Sequence, residues 1–252
     1  LPQMEKYGYQ PGFACGILAA GGTLGIMIPP SIALLVYAIL TQQSVGDMFI
    51  AGFLPGMLGM VMYSLTVMVM VRWKPHLAKR GEKTTWKAKL LSLTGLIPFS
   101  FIFIVIIAGI FFGLFTPTEG AAVGAFVSWA YAFAKGMRLD GLKQSLIETL
   151  ALSAVVFFML LGAEALGYFI SVSRLSYTLA SWIGGLAVSP MIVLICILFM
   201  YFLLGLFMDA LAMLVITIPV VYPIILALGF DPVWFGIIAV LTVELGLITP
   251  PM

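Results

Sequence analysis

The sequence predicts an all-α polytopic membrane protein, built as an inverted repeat with Pro-Pro broken helices and a re-entrant helical hairpin. Three observations carry that prediction. The chain is 63% hydrophobic and only 9% charged, with a mean hydropathy of +1.19. A soluble domain of this length does not carry so much apolar side chain, so the solvent of this one is lipid. An apolar stretch cut by two prolines, Gly22-Thr23-Leu24-Gly25-Ile26-Met27-Ile28-Pro29-Pro30-Ser31, returns in weaker form as Val243-Glu244-Leu245-Gly246-Leu247-Ile248-Thr249-Pro250-Pro251-Met252. The flanks agree, Gly8-Tyr9-Gln10-Pro11 before the first copy and Gly229-Phe230-Asp231-Pro232 before the second, and one constant offset aligns everything without a gap. Finally, the lysines and arginines gather in a few loops, and their placement fixes the direction in which each copy crosses.

Taken in order, a first span covers roughly 12–40 and contains the first break, and a second covers roughly 46–71. The basic stretch from Arg72 to Lys89 follows, flanked by Trp73 and Trp86 as interfacial anchors. A third span runs from about 91 to 114. Thr116-Pro117-Thr118-Glu119 opens a fourth, which ends near Lys135. Thr, then Pro at the first helical position, then Glu three residues after the Thr is the pattern of a capping box, so Glu119 is read as structural. An amphipathic segment, Lys135 to Glu148, is expected at the interface, before a fifth span over about 149–171. Residues 172–189 are more polar and read as interfacial. From Pro190 one apolar arm runs to Leu204, and a second runs from Ala210 to about Leu228. The tip Gly205-Leu206-Phe207-Met208-Asp209 lies between them, and together they read as a hairpin that enters and leaves on one face. The final broken span begins near Val233. Gly52/Gly56 and Gly120/Gly124 have small-xxx-small spacing, which predicts helix packing. Cys15 and Cys196 are expected to be packing residues, and His76, the lone histidine, lies in the basic loop.

The positive-inside rule makes the basic loop 72–90 cytoplasmic. Counting crossings from there places Lys6, Lys135, Arg138 and Lys143 inside as well, so that Arg174 alone among the Lys and Arg residues falls outside. Gln10-Pro11 is then inside and Asp231-Pro232 outside, with 229–232 periplasmic. The two broken spans run in opposite directions whether or not 190–228 is re-entrant.

Two prolines inside a helix have a definite chemical effect. Each lacks an N–H, and each ring crowds the carbonyl four residues back. Pro29 and Pro30 therefore release the carbonyls of Gly25 and Ile26, and Pro250 and Pro251 those of Gly246 and Leu247. Irregular backbone persists in hydrocarbon only when buried in protein or lining a cavity. Freed carbonyls suit a hard cation such as sodium, and the fresh helix N-terminus near Ser31 suits an anion. Paired broken segments at matching places in two halves point to the binding site of a secondary transporter.

With these residues in view, the sequence resembles the large membrane subunit of a TRAP (tripartite ATP-independent periplasmic) transporter. The resemblance rests on Ala19-Ala20-Gly21 running into the first broken stretch, on Ala51-Gly52-Phe53-Leu54-Pro55-Gly56, Phe115-Thr116-Pro117-Thr118-Glu119-Gly120 and Phe207-Met208-Asp209-Ala210, and on the closing Leu245-to-Met252 stretch. It implies an ion-transporter-type fold and a sodium-driven importer of an organic acid, of the C4-dicarboxylate or sialic acid class, in the bacterial inner membrane. The implied partners are a small membrane subunit, a periplasmic solute-binding protein and the membrane lipid, with no nucleic acid. It also implies an elevator mechanism, and a longer parent chain that carries a further hairpin before Leu1 and a further helix after Met252. On this reading residues 1–71 end a first repeat, 72–90 form the cytoplasmic loop, and 91–148 supply scaffold-type spans and the interfacial segment. Residues 149–189 form an arm span and interfacial segment, and 190–252, the re-entrant hairpin and second broken helix, form the transport domain.

Site residues follow from the break chemistry and the resemblance together. Ser31 and Asp209 are the expected solute contacts, although each also fits a simple helix N-cap. The expected sodium ligands are Thr23, Gly25, Ile26, Thr217, Glu244, Gly246, Leu247 and Thr249. Each threonine hydroxyl has the alternative of bonding back to its own helix, and Glu244 either neutralises the cation or pairs structurally. Coupling would need no organic cofactor, only Na+. Glu164 lies in an apolar span with no partner evident in the sequence. The main rival is a non-transporting membrane scaffold or docking subunit. An intramembrane enzyme ranks last, for want of a His-Glu-x-x-His motif or paired catalytic aspartates, and no catalytic residue is assigned.

Overall fold

A computed structural model describes residues 1–78, 85–185 and 188–249. Among these residues every regular element is helical. The order is α1 (Pro2–Lys6), α2 (Pro11–Met27), α3 (Ile32–Thr41), α4 (Val45–Trp73), α5 (Trp86–Leu93), α6 (Ile97–Phe111), α7 (Pro117–Ala134), α8 (Leu139–Val172), α9 (Leu175–Gly185), α10 (Pro190–Gly205), α11 (Ala210–Ala227) and α12 (Pro232–Leu247). Five stretches are long and apolar enough to cross a membrane: Pro11–Thr41, Val45–Trp73, Thr94–Phe111, Leu139–Val172 and Ala210–Ala227. Large apolar side chains face outward along them, among them Phe99, Phe101, Phe157, Phe158 and Leu161. A water-soluble chain would bury such rings; a lipid-solvated one has no reason to. The protein is a polytopic all-α membrane protein.

The chain divides into two compact units. One comprises Leu1–Leu18 and Ser64–Leu152. In it α6 packs on α7. Glycines make that approach: a Cβ on Gly109 would overlap the Phe115 ring, and one on Gly124 would sit 2.5 Å from Ile106 Cδ1. The capping box that opens α7 is present, with Thr116 Oγ1 accepting from the Glu119 N–H at 3.3 Å and the Thr116 N–H donating to Glu119 Oε2 at 2.7 Å.

The other unit comprises Ala19–Tyr63 and Ser153–Met252. Helix α12 is its axis, with Phe235, Ala239, Val240 and Val243 fully buried; α10, α11 and α3 pack around it. Tyr37 and Tyr201 lay their rings beside Phe235, at centroid distances of 6.5 and 6.4 Å, and the Tyr37 hydroxyl donates to the Pro232 carbonyl at 2.7 Å. Glycines on one face of α4 receive the first broken helix: Cβ atoms on Gly52, Gly56 and Gly59 would stand 2.7, 3.0 and 2.9 Å from Leu34, Ile28 and Leu24.

Three details differ from the sequence reading. The amphipathic segment 135–148 is not separate from the span that follows, because α8 runs unbroken from Leu139 to Val172 over 34 residues. The expected fourth span, α7 over Pro117–Ala134, is not among the five stretches long and apolar enough to cross, whereas the second hairpin arm, Ala210–Ala227, is. Cys15 and Cys196 are exposed free thiols rather than packing residues; their faces of α2 and α10 look outward.

Candidate functional site

The first break is as the two prolines dictate. Helix α2 stops at Met27, α3 starts at Ile32, and Ser31 between them has the extended backbone (φ −116°, ψ 127°) of an N-cap. Its hydroxyl accepts from the Leu34 N–H at 3.2 Å and donates to the Ile26 carbonyl. Ser31 is buried at 3% exposure. One of the two carbonyls released by the prolines has therefore been recaptured. Pro29 has no N–H to return to the other, that of Gly25. Nothing lies within 4 Å of a Cβ built on Gly25, so packing does not demand a glycine there. Thr23 Oγ1 donates back to the Ala20 carbonyl at 3.2 Å.

The second break is described as far as Thr249; Pro250, Pro251 and Met252 lie outside the described residues. Helix α12 ends at Leu247, and the chain tightens there, the Thr249 N–H donating to the Gly246 carbonyl at 3.1 Å. The Gly246 carbonyl is thus bonded, contrary to the expectation that the prolines leave it open, and the carbonyl of Leu247 is the one for which Pro251 offers no donor. Thr249 Oγ1 donates to the Leu245 carbonyl at 2.6 Å. Gly246 makes the close backbone approach expected of it, but to α10: its added Cβ would lie 2.8 Å from Gly205 Cα and 2.9 Å from the Phe202 carbonyl oxygen.

Glu244 stands out chemically. It is 2% exposed, and its Oε1 has no hydrogen-bond partner among the described residues. A buried charge without a partner costs on the order of several kcal/mol, so the site favours something that supplies positive charge. The Tyr63 phenol of α4, which sequence reasoning missed, lies near the Thr23 hydroxyl. Tyr63 sits in an apolar span with no motif around it, and only the folded contact could reveal it.

At the hairpin tip Asp209 is exposed and caps α11, Oδ2 accepting from the Leu211 N–H at 3.0 Å. Thr217, two turns along α11, is within hydrogen-bond distance of the Met213 carbonyl (2.7 Å) and the Tyr201 phenol oxygen (2.8 Å). A carbonyl can only accept, so the threonine proton goes to Met213 and the phenol proton to Thr217, which ties the two hairpin arms together. Ser31 and Asp209 therefore act as caps, Thr23 and Thr249 bond back to their own stretches, Thr217 also reaches Tyr201 on the other hairpin arm, and the carbonyls of Gly25 and Leu247 keep no proline-position donor.

A family model described as "Tripartite ATP-independent periplasmic transporter, DctM component" matches residues 1–252. The chain is 35% identical over 253 residues to the C4-dicarboxylate TRAP transporter large permease protein DctM of Pseudomonas aeruginosa, covering 99% of this chain and 58% of that protein. It is 34% identical over 265 residues to the sialic acid TRAP transporter large permease protein SiaM of Vibrio cholerae, covering 100% of this chain and 59% of that protein. It is 30% identical over 260 residues to the 2,3-diketo-L-gulonate TRAP transporter large permease protein YiaN of Escherichia coli, again with 59% of that protein covered. The chain thus spans a little under three-fifths of the length of these relatives, each of which is a permease and not an enzyme.

Proposed function

Because the chain belongs to the DctM component family of tripartite ATP-independent periplasmic transporters, we propose that it forms part of a sodium-coupled importer of an organic acid in the bacterial inner membrane. The names of the relatives support a solute of the C4-dicarboxylate or sialic acid class. The family description supports a periplasmic solute-binding protein as partner, together with a small membrane subunit. The basic loop 72–90 faces the cytoplasm and 229–232 the periplasm, so the two broken spans are antiparallel, as alternating access by an elevator motion requires.

One observation supports the sodium reading: the buried Glu244 carboxylate, whose Oε1 has no hydrogen-bond partner among the described residues. A carboxylate and a threonine hydroxyl are hard oxygen donors of the kind that hold Na+, and the carbonyls of Gly25 and Leu247 have lost their proline-position donors. A bound Na+ supplies the charge that the carboxylate lacks. Ser31 holds the break in shape by capping α3 while tying up the Ile26 carbonyl, which makes the α3 N-terminus a site for a solute carboxylate. Asp209 at the tip offers its second oxygen to solute hydroxyls. Thr217, Gly246 and Thr249 contribute by fixing the elements rather than by free donors.

The deciding experiment is solute uptake into proteoliposomes containing the full transporter and its binding protein. Uptake driven by an inward sodium gradient is expected to vanish when potassium replaces sodium, and Glu244→Gln is expected to raise the sodium concentration needed for half-maximal uptake. Uptake unchanged by potassium replacement overturns the coupling.

A further inference from the structure

Pro29 and Pro30 return no N–H across the first break, so no continuous ladder carries the position of α2 into α3. Where the α3 N-terminus stands then depends on what the rest of α3 is fastened to. Helix α3 is ten residues long and packs on α11 and α12 of the second copy. Tyr37 stands in its middle, six residues after the Ser31 cap, a rise of about 9 Å. Its ring is fully buried and sits in a notch that Gly236 leaves open in α12. A Cβ on Gly236 would lie 2.4 Å from Tyr37 Cε1 and 2.8 Å from Cδ1. The Tyr37 hydroxyl reaches the first turn of α12 and donates to the Pro232 carbonyl at 2.7 Å.

The far end of α3 is fastened as well. Gln42 takes the left-handed conformation (φ 56°) that ends the helix, and the Gln43 N–H returns to the Ala38 carbonyl at 2.9 Å. From that turn the Gln43 side chain reaches α11, where Nε2 donates to the Tyr222 phenol oxygen at 3.0 Å. Sliding α3 along α12 would drive the Tyr37 ring off the glycine and towards the side chains of its neighbours Phe235 and Ile237, both buried. The hydroxyl adds a directional constraint that ring packing lacks, because a hydrogen bond weakens steeply as its angle closes.

We propose that Tyr37 is a positioning residue for the solute site: its bond to Pro232 sets the α3 N-terminus against α12, so that the N–H groups behind Ser31 face the solute carboxylate. This rests on the reading above that the solute carboxylate docks at that N-terminus. Ser31 shapes the cap, and Tyr37 decides where the cap stands. Without the hydroxyl the ring still fills the notch and the fold holds, but α3 samples positions of which a fraction accept solute. Apparent affinity falls by that fraction.

The test is equilibrium binding of radiolabelled succinate, and separately of radiolabelled sialic acid, to the full-length protein with its small membrane subunit in lipid nanodiscs at saturating sodium. A thermal midpoint is taken for each variant. Tyr37→Phe is expected to raise the dissociation constant of whichever acid the parent binds by about twofold to tenfold, the range of one net hydrogen bond, with the number of sites unchanged. Ile225→Val, which takes one methylene from the fully buried core of α11, serves as the stability control. It should lower the midpoint at least as much and keep the parental constant. Ser31→Ala reports on the solute site itself. A parental constant in Tyr37→Phe beside a raised one in Ser31→Ala overturns the positioning role and leaves the solute site standing. Parental constants in both, or no saturable binding by the parent, remove the solute site and the positioning role together. An equal rise in Ile225→Val makes the effect one of stability and overturns the proposal. If Tyr37→Phe does not assemble, Gln43→Leu decides, since it cuts the tie to Tyr222: a smaller rise is expected, and a parental constant overturns the proposal.

Discussion

At the scale of single residues, two glycines that look alike in the repeat do different work. Gly25 has open space around it, whereas Gly246 is pressed against the backbone of α10. Gly246→Ala is therefore expected to cost about 1–3 kcal/mol as an overpacked contact, read as a fall in thermal midpoint of the purified protein, while Gly25→Ala leaves the midpoint nearly unchanged. An equal fall for both would mean that the contact to Gly205 is not what holds Gly246. Asp209 invites a similar separation of roles. Asp209→Ser keeps an N-cap for α11 and should retain stability, where Asp209→Ala loses about 1 kcal/mol. Both are expected to abolish solute uptake; parental uptake by the serine variant would confine Asp209 to capping. The caps at Ser31 and Asp209 were legible in sequence because a cap is a local pattern of residue type before a helix. The contact partner of Gly246 and the nearness of Tyr63 to Thr23 were not, because Gly205 and Thr23 are brought to them by the fold and not by spacing.

At the scale of elements, the proline breaks and the capping box could be read directly, since both follow from which backbone donors and acceptors a given residue can supply. Thr116→Ala is expected to lower the stability of α7 by about 1 kcal/mol through loss of the hydroxyl that accepts from the Glu119 N–H, while the main-chain N–H at 116 keeps its bond to Glu119; a hydrogen-exchange profile with unchanged protection at the start of α7 would contradict it. The division between an interfacial segment and a fifth span was misplaced for a physical reason. Charge along 135–148 reports the polarity of the surroundings, not the path of the backbone, and no proline interrupts Leu139–Val172. Conversely, sequence showed that Pro29 and Pro30 must strip two carbonyls, but not that the Ser31 hydroxyl would take one back.

For the whole molecule, the apolar character of the spans was legible in composition, whereas which helices are long and apolar enough to cross, and the pairing of distant helices around α12, were not. Orientation is the property that charge placement predicts and that packing alone does not. In a variant lacking Cys15 and Cys196, single cysteines at Gln10 and Asp231 are expected to react with a membrane-impermeant maleimide from opposite sides, the first only after the cytoplasmic face is opened. Labelling of both from one side would make the repeats parallel and remove the basis for alternating access.

The glycine contact between α10 and α12 has a mechanical consequence. Main chain touches main chain there, Gly246 against Gly205 and the Phe202 carbonyl, with no side chain between to bend or swap rotamers. Four residues beyond Gly205 the chain reaches Asp209. A shift at the end of α12 therefore passes to the hairpin tip through a stiff joint, so that whatever tugs on Glu244 is felt where Asp209 caps α11.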